Sequence, residues 1–217
     1  MKRVAGVLAS IAVAGAILGN SVTAVLAATF SYPWFSGGLV NNYGLSAAEM
    51  QQNYDRVVRF SLFPWVDELQ LDTLPMSASG SQHFVDAKQI FQIFVQTGLI
   101  CLVIGLVVGI WLWRRHRSSG FLTAGGIITL ATPVLIAIPL LVDFDRSFVV
   151  FHELFFSNDL WIFDPRTDPI INYLPEALFM RNAFAILALM IALSVIAIVW
   201  GRLAGRRARR QAEISAR

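Results

Sequence analysis

The sequence predicts an all-α, polytopic membrane protein with four transmembrane helices and two long outer loops that contain short helices. Three observations carry that prediction. Four apolar runs each approach membrane-crossing length. Of 217 residues, 56% are hydrophobic and only 14% charged, with a mean hydropathy of +0.63. A soluble domain carries about a quarter charged residues, so there is too little polar surface here for a water-soluble globule. Finally, the basic residues gather in three short segments that four crossings would place on one side.

The apolar runs cover about 4–30, 91–113, 121–142 and 183–200. Crossing ~30 Å of hydrocarbon at ~1.5 Å per residue takes ~20 residues. In lipid the backbone must satisfy its own hydrogen bonds, so each run is read as a helix. Pro133 and Pro139 should kink the third. The first run follows Met1-Lys2-Arg3 and reaches Ala24-Val25-Leu26-Ala27, which imitates a cleavable signal peptide. Its apolar part exceeds the about 7–15 residues usual there, which favours an uncleaved helix.

Orientation follows from charge. Lys2 and Arg3 precede the first span, and Arg114, Arg115 and Arg117 join the second to the third. Arg202, Arg206, Arg207, Arg209, Arg210 and Arg217 follow the fourth. Short flanks rich in Lys and Arg stay in the cytoplasm, so both termini should lie there. Of the acidic residues, only Glu213 falls in these segments. The net charge of +3 and pI near 9.4 therefore express topology beside anionic lipid, and no nucleic-acid partner is expected. The chain reads as a single integral membrane domain, 1–217, with outer loops at 31–90 and 143–182 and a cytoplasmic tail at 201–217.

The first outer loop opens on the turn-rich, aromatic run Ser31 to Gly38. Ser46-Ala47-Ala48-Glu49 reads as a capping box, with a helix through Met50, Tyr54, Val57, Val58 and Leu62 that Pro64 should end. The stretch 66–74 is amphipathic or irregular. Pro75 to Gly80 reads as a flexible link before a helical entry to span two. In the second loop, Phe148 to Phe156 has an apolar helical side, and Asp168-Pro169 looks like an N-cap followed by proline at the first helical position. Leu174-Pro175-Glu176 begins a helix that runs into span four.

Three histidines are present. His116 belongs to the arginine-rich link. His83 and His152 fall one in each outer loop, each near the end of a span. Imidazole exchanges protons near neutral pH, so the coincidence points to a shared acid and base, although hydrogen-bonded packing would place them equally well. Two rings serving one reaction should face a common cavity, with nearest nitrogens within roughly 8 Å. Asp86 stands three residues after His83, on the same helical face. Glu153 adjoins His152, but neighbouring helical side chains point apart. No Gly-x-Ser-x-Gly run offers a serine nucleophile. His83, His152 and a carboxylate could be assembled into a zinc site, but no His-Glu-x-x-His run exists and no metal is expected. The single cysteine, Cys101, lies about 15 Å down span two at ~1.5 Å per residue, too deep for the outer face, and reads as packing.

Two runs carry a resemblance. Gly80-Ser81-Gln82-His83-Phe84-Val85-Asp86-Ala87-Lys88 is similar to one motif of the bacterial four-helix membrane proteins that include the lipoprotein intramolecular transacylase. The run from Phe151-His152-Glu153 through Asn158-Asp159, Trp161, Phe163-Asp164-Pro165 and Thr167-Asp168 resembles a second, longer one. Leu174-Pro175-Glu176 and Phe179 extend the match, while Ala87 stands where the family often has valine. The resemblance implies a cofactor-free acyltransferase in the bacterial cell membrane, with its active site at the outer leaflet. Its substrate would be a lipoprotein bearing a diacylglyceryl-cysteine with a free α-amine. The sn-2 acyl chain would move to that amine, giving the lyso form. His83 and His152 would be catalytic. Asp86, Lys88, Glu153, Asn158, Asp159, Trp161, Asp164 and Asp168 would support the site or bind substrate, although turn and cap chemistry accounts equally for Asp164 and Asp168. Two other readings stay open on the residues alone: a non-catalytic scaffold or transport accessory, and a metal-dependent membrane hydrolase.

Overall fold

The computed structural model describes residues 1–39 and 41–215, all of them in helices, turns or irregular segments. Seven α-helices follow in chain order: α1 (Lys2–Ala27), α2 (Pro33–Ser36), α3 (Ala47–Leu62), α4 (Ala78–His116), α5 (Gly120–Val142), α6 (Phe144–Phe155) and α7 (Glu176–Ser215). Short 3-10 turns occupy Thr29–Ser31 and Pro169–Tyr173. Four helices, α1, α4, α5 and α7, are long and apolar enough to cross a membrane. The expected spans therefore appear, with α4 and α7 running well past the apolar segment at one or both ends. α5 continues through Pro133 and Pro139.

The chain forms two compact units. One comprises Met1–Val22, Phe94–Ile138 and Ile186–Arg217. Its packing relies on close backbone approach. A Cβ at Gly98 would stand 2.9 Å from the backbone nitrogen of Asn20, and one at Gly19 would run into the backbone of Phe94 and Gly98. Side-chain-free contact at these two positions lets α1 and α4 touch, and Asn20 adds a bond from its Nδ2 to the Gly98 carbonyl at 3.0 Å. This is how helices associate where lipid supplies no hydrophobic drive between them. The outward faces are apolar: Ile100, Val103, Val107, Leu135 and Ile138 are all exposed. A soluble surface would not carry such a continuous patch. At the end of α4, Arg117 takes a left-handed φ of 49°, which turns the chain into α5 within three residues.

The other unit comprises Thr23–Ile93 and Pro139–Ala185. In α3 the expected capping box is complete, with Ser46 and Glu49 satisfying each other's backbone N–H. The helix ends at Leu62, two residues before Pro64, and buries Met50, Tyr54, Val58 and Leu62. Tyr32 stacks on Tyr54 with ring centroids 4.6 Å apart and donates its hydroxyl to the Tyr173 carbonyl at 2.7 Å. Tyr173 in turn donates to Asn41 Oδ1 at 2.8 Å. The segment 66–74 is irregular. It is held by the bond from Asn53 Nδ2 to Thr73 Oγ1 at 2.7 Å and by the Arg56–Asp72 ion pair. The flexible link expected through Gly80 is shorter than that, because α4 already begins at Ala78. Ser77 caps it, its Oγ accepting from Gly80 N at 3.0 Å.

Candidate active site

The histidines of the two long loops come together within the second unit. His83 lies in the second turn of α4, before the apolar segment begins, and His152 in the last turn of α6. Their ring centroids are 6.1 Å apart, within the separation two cooperating imidazoles need. Both are buried, with 7% and 9% of their surfaces exposed. Aromatic rings close the pair in. Phe156 packs against both, at 4.9 Å from His83 and 5.5 Å from His152. Phe163 stands edge-on to His83 at 5.4 Å. Phe148 and Trp161 lie against His152 at 4.2 and 4.8 Å. Ring contacts of this kind contribute ~0.5–1.5 kcal/mol each, enough to fix ring planes. Neither histidine lines the cavity bounded by α1, α4, α5 and α7 or the one beside α3.

Electrostatics follow from this packing. His152 Nδ1 is 2.7 Å from the Phe148 carbonyl. A carbonyl oxygen only accepts, so Nδ1 carries the hydrogen and Nε2 of the neutral ring holds the lone pair. Burial lowers the pKa of His152, partly opposed by that bond. In His83, burial and then the neighbouring His152 lower the pKa from 6.5 to about 4, against the field of Asp86. His83 Nδ1 is buried and meets no hydrogen-bond partner among the described residues. Both rings are therefore neutral at neutral pH, and no hydrogen bond at Nδ1 fixes the tautomer of the His83 ring.

The remaining sequence-predicted residues divide by what they touch. Asp86 does not bond to the His83 ring. Its carboxylate accepts from Gln82 Nε2 at 2.8 Å and from Asn158 Nδ2 at 3.1 Å, and it acts on His83 through its field. Asn158 thereby ties the loop after α6 to α4, and its own Oδ1 accepts from Leu160 N. Lys88 reaches the Val66 carbonyl and lies 4.5 Å over the Phe60 ring, bracing α3 and the irregular segment against α4. Asp168 is 2% exposed. It holds the N-cap position of the turn that follows, with Pro169 first in the turn, but its side chain makes no capping bond there. Its Oδ1 accepts from Ser77 N, and its Oδ2 accepts from Ser77 Oγ and Thr167 Oγ1, at 2.7–2.8 Å. The carboxylate prefers these donors because Ser77 presents an otherwise unpaired N–H at the head of α4. A Cβ on Gly80 would collide with Asp168 and press on Phe163, so this glycine admits the loop. Asp164 forms a turn and pairs with Arg166 at 2.7 Å, whose guanidinium holds its carboxyl down to about 2. Glu153 and Asp159 are exposed. Cys101 lies in the four-span unit, and a Cβ at Gly15 would press on its sulfur. Sequence reasoning missed Phe156 as the ring shared by both histidines and Ser77 as the partner of Asp168. The signal for Ser77 was legible as a serine three residues before Gly80; nothing local marks Phe156. Among the described residues, no group of three or more His, Cys, Asp or Glu side chains could hold one metal ion.

Fold and site together define a multi-pass helical membrane protein with a buried, neutral imidazole pair. The family model described as lipoprotein intramolecular transacylase Lit matches residues 7–179, and the chain belongs to that family. Its structure is similar to that of the membrane-integral lipoprotein intramolecular transacylase Lit from Bacillus cereus. The two are 33% identical, with a TM-score of 0.90 covering 97% of this chain and 98% of the other. Two variants of the Bacillus cereus protein also match at 32% identity and a TM-score of 0.83. One has a histidine replaced by arginine and the other by alanine; they match 97% of this chain and 95% and 96% of theirs. The comparison with curated proteins gives no match.

Proposed function

We infer that this protein is an intramolecular O-to-N acyltransferase acting on diacylglyceryl-modified lipoproteins, with His83 and His152 at its reaction centre. Family membership supports the substrate class. The observation that carries the chemistry is the neutral imidazole pair, one ring locked by the Phe148 carbonyl.

The reaction moves an acyl group from a glyceryl oxygen to the cysteine α-amine of the same molecule. One C–O bond breaks, one C–N bond forms, and one proton passes from nitrogen to oxygen. An ester becomes an amide, so the change is downhill and the obstacle is kinetic. His152 Nε2, held with its lone pair free, takes the proton from the attacking amine and returns it to the departing glyceryl oxygen. His83 donates its N–H to the carbonyl oxygen as that atom gains charge, in a site where burial strengthens the bond. Amine and ester sit on one molecule, so holding them together supplies proximity without an acyl-enzyme. Asp86, Lys88, Asn158 and Asp168 hold the loops that position the rings. Trp161 and Phe156 are the walls that an incoming acyl glycerol must displace or stack on. Glu153, Asp159 and Asp164 face solvent and serve at most the path of the protein substrate. The basic flanks favour cytoplasmic termini and a site at the outer leaflet.

The test is conversion of a synthetic diacylated lipopeptide by the purified protein. Each of His83→Gln and His152→Gln should lower turnover by roughly 10²–10⁴-fold, far beyond the effect of the modest loss of thermal stability expected at pH 8 from the lost ring contacts. Near-normal turnover in either would sink the paired mechanism.

A further inference from the structure

The four-span unit contains a second feature that the transacylation site does not use. An open cavity of about 980 Å³ lies among its helices, bounded by residues from α1, α4, α5 and α7. Ala16, Gly105, Leu106, Leu193 and Ile196 illustrate its wall, which is almost wholly apolar. Arg114 at one end is its only charged lining residue among those described, and Asn20 lies towards the other. From Cys101 to Arg114 along α4 the wall runs roughly 20 Å at ~1.5 Å per residue, somewhat more than the ~15 Å of hydrocarbon in one leaflet. Trp113 and Trp200, also in the lining, suit the level where hydrocarbon meets headgroups. Arg114 is exposed and pairs with no acidic side chain among the described residues.

We propose that this cavity binds one anionic phospholipid, an acyl chain along the apolar wall and the phosphate on Arg114. An apolar space of this volume inside a bilayer is unsuited to water, and left empty it forfeits dispersion contacts with its walls. Glycine and alanine make the wall concave, which distinguishes the space from the lipid-facing ridges of α4 and α5. Charge selects the headgroup: an arginine at the mouth of an apolar slot between helices attracts an anion. Neither histidine lines this cavity, and the proposal holds whether or not the assignment of that pair does.

Native mass spectrometry of the full chain in mild detergent tests it, with phosphatidylglycerol titrated against phosphatidylcholine of the same chains. The wild type should retain a single phosphatidylglycerol, preferred by roughly fivefold, the size of one arginine's attraction to an anionic lipid. Arg114→Gln should bind both lipids equally. Gly105→Leu should lose both, since a Cβ there meets only ordinary contacts with Ala12 and Val13 and the longer side chain fills the slot. Ala16→Leu gives a second filling variant should the first fail to fold. Equal retention of the two lipids by the wild type, or unaltered binding by the folded filling variants, would overturn the proposal. Stoichiometric displacement of phosphatidylglycerol by a diacylated lipopeptide would also overturn it, by assigning the slot to substrate.

Discussion

A neutral, buried imidazole gives His83 two measurable signatures. Its pKa falls from 6.5 unfolded to about 4 folded, so between those values the unfolded chain binds the extra proton. The His83 contribution to stability is complete above pH 6.5 and is lost as pH falls from 6.5 towards 4. Thermal unfolding across that window should show a falling midpoint that His83→Gln flattens. Catalysis has a different limit. The substrate α-amine, with a pKa of about 7.7–8.0, must be unprotonated to attack. kcat/KM should therefore fall about tenfold per pH unit below that range. Burial lowers both histidines below 6.5, so no further steepening should be centred at 6.5 itself. A break near 6.5 would mean an ordinary, solvated imidazole at the centre. What the sequence made legible at this scale was the pair itself: two histidines at the ends of spans, one per loop. The tautomer of His152 was not legible, because it depends on a carbonyl one helical turn back and on burial by rings from elsewhere in the chain.

Two carboxylates join the elements that carry the pair: Asp86, which Asn158 reaches, and Asp168. Asp168 closes the second loop onto the first turn of α4, and His83 stands six residues beyond Ser77. Removing it leaves the half-buried Ser77 N–H without its acceptor and costs the bonds to two hydroxyls. Asp168→Ala should destabilise the protein by ~2–4 kcal/mol, measured by denaturation in detergent, while Asp168→Asn keeps part of the network. Ser77→Ala should cost ~1 kcal/mol as a lost N-cap. Gly80→Ala should be worse than either conservative change, since its methyl meets Asp168. Element boundaries in the sequence came from local chemistry, and those that rest on local chemistry agree with the structure: the Ser46–Glu49 box starts α3, and α3 stops just before Pro64. The reading fell short where a distant residue decides. Asp168 does hold the N-cap position with Pro169 first in the turn, but its carboxylate bonds Ser77, 91 residues away, instead of the turn's own N–H groups. Likewise Pro75 to Gly80 has link composition, yet Ser77 and Asp168 together start α4 inside it.

At the scale of the whole molecule, the four spans were legible because lipid imposes length and composition on a contiguous stretch of chain. Orientation rests on the basic flanks. Reporter fusions after Pro75 and after Arg166 should read outside, and those after Arg117 and after Ser215 inside. A cytoplasmic readout from either long loop would separate the histidine pair from its substrate's leaflet. Chelators should leave turnover unchanged, since the proton balance above needs only the imidazoles. The central claim is that the acyl chain never leaves its own lipoprotein, and one measurement addresses it directly. A diacylglyceryl lipopeptide isotopically labelled only in its sn-2 chain is incubated with the purified protein in unlabelled phospholipid, and the product is fragmented in a mass spectrometer. The account predicts a product of unchanged mass whose label sits on the N-terminal amide, formed by the wild type and not by the doubly substituted His83→Gln, His152→Gln variant. An N-acyl chain drawn from the unlabelled phospholipid, or the same labelled amide formed at full rate without either histidine, would contradict it.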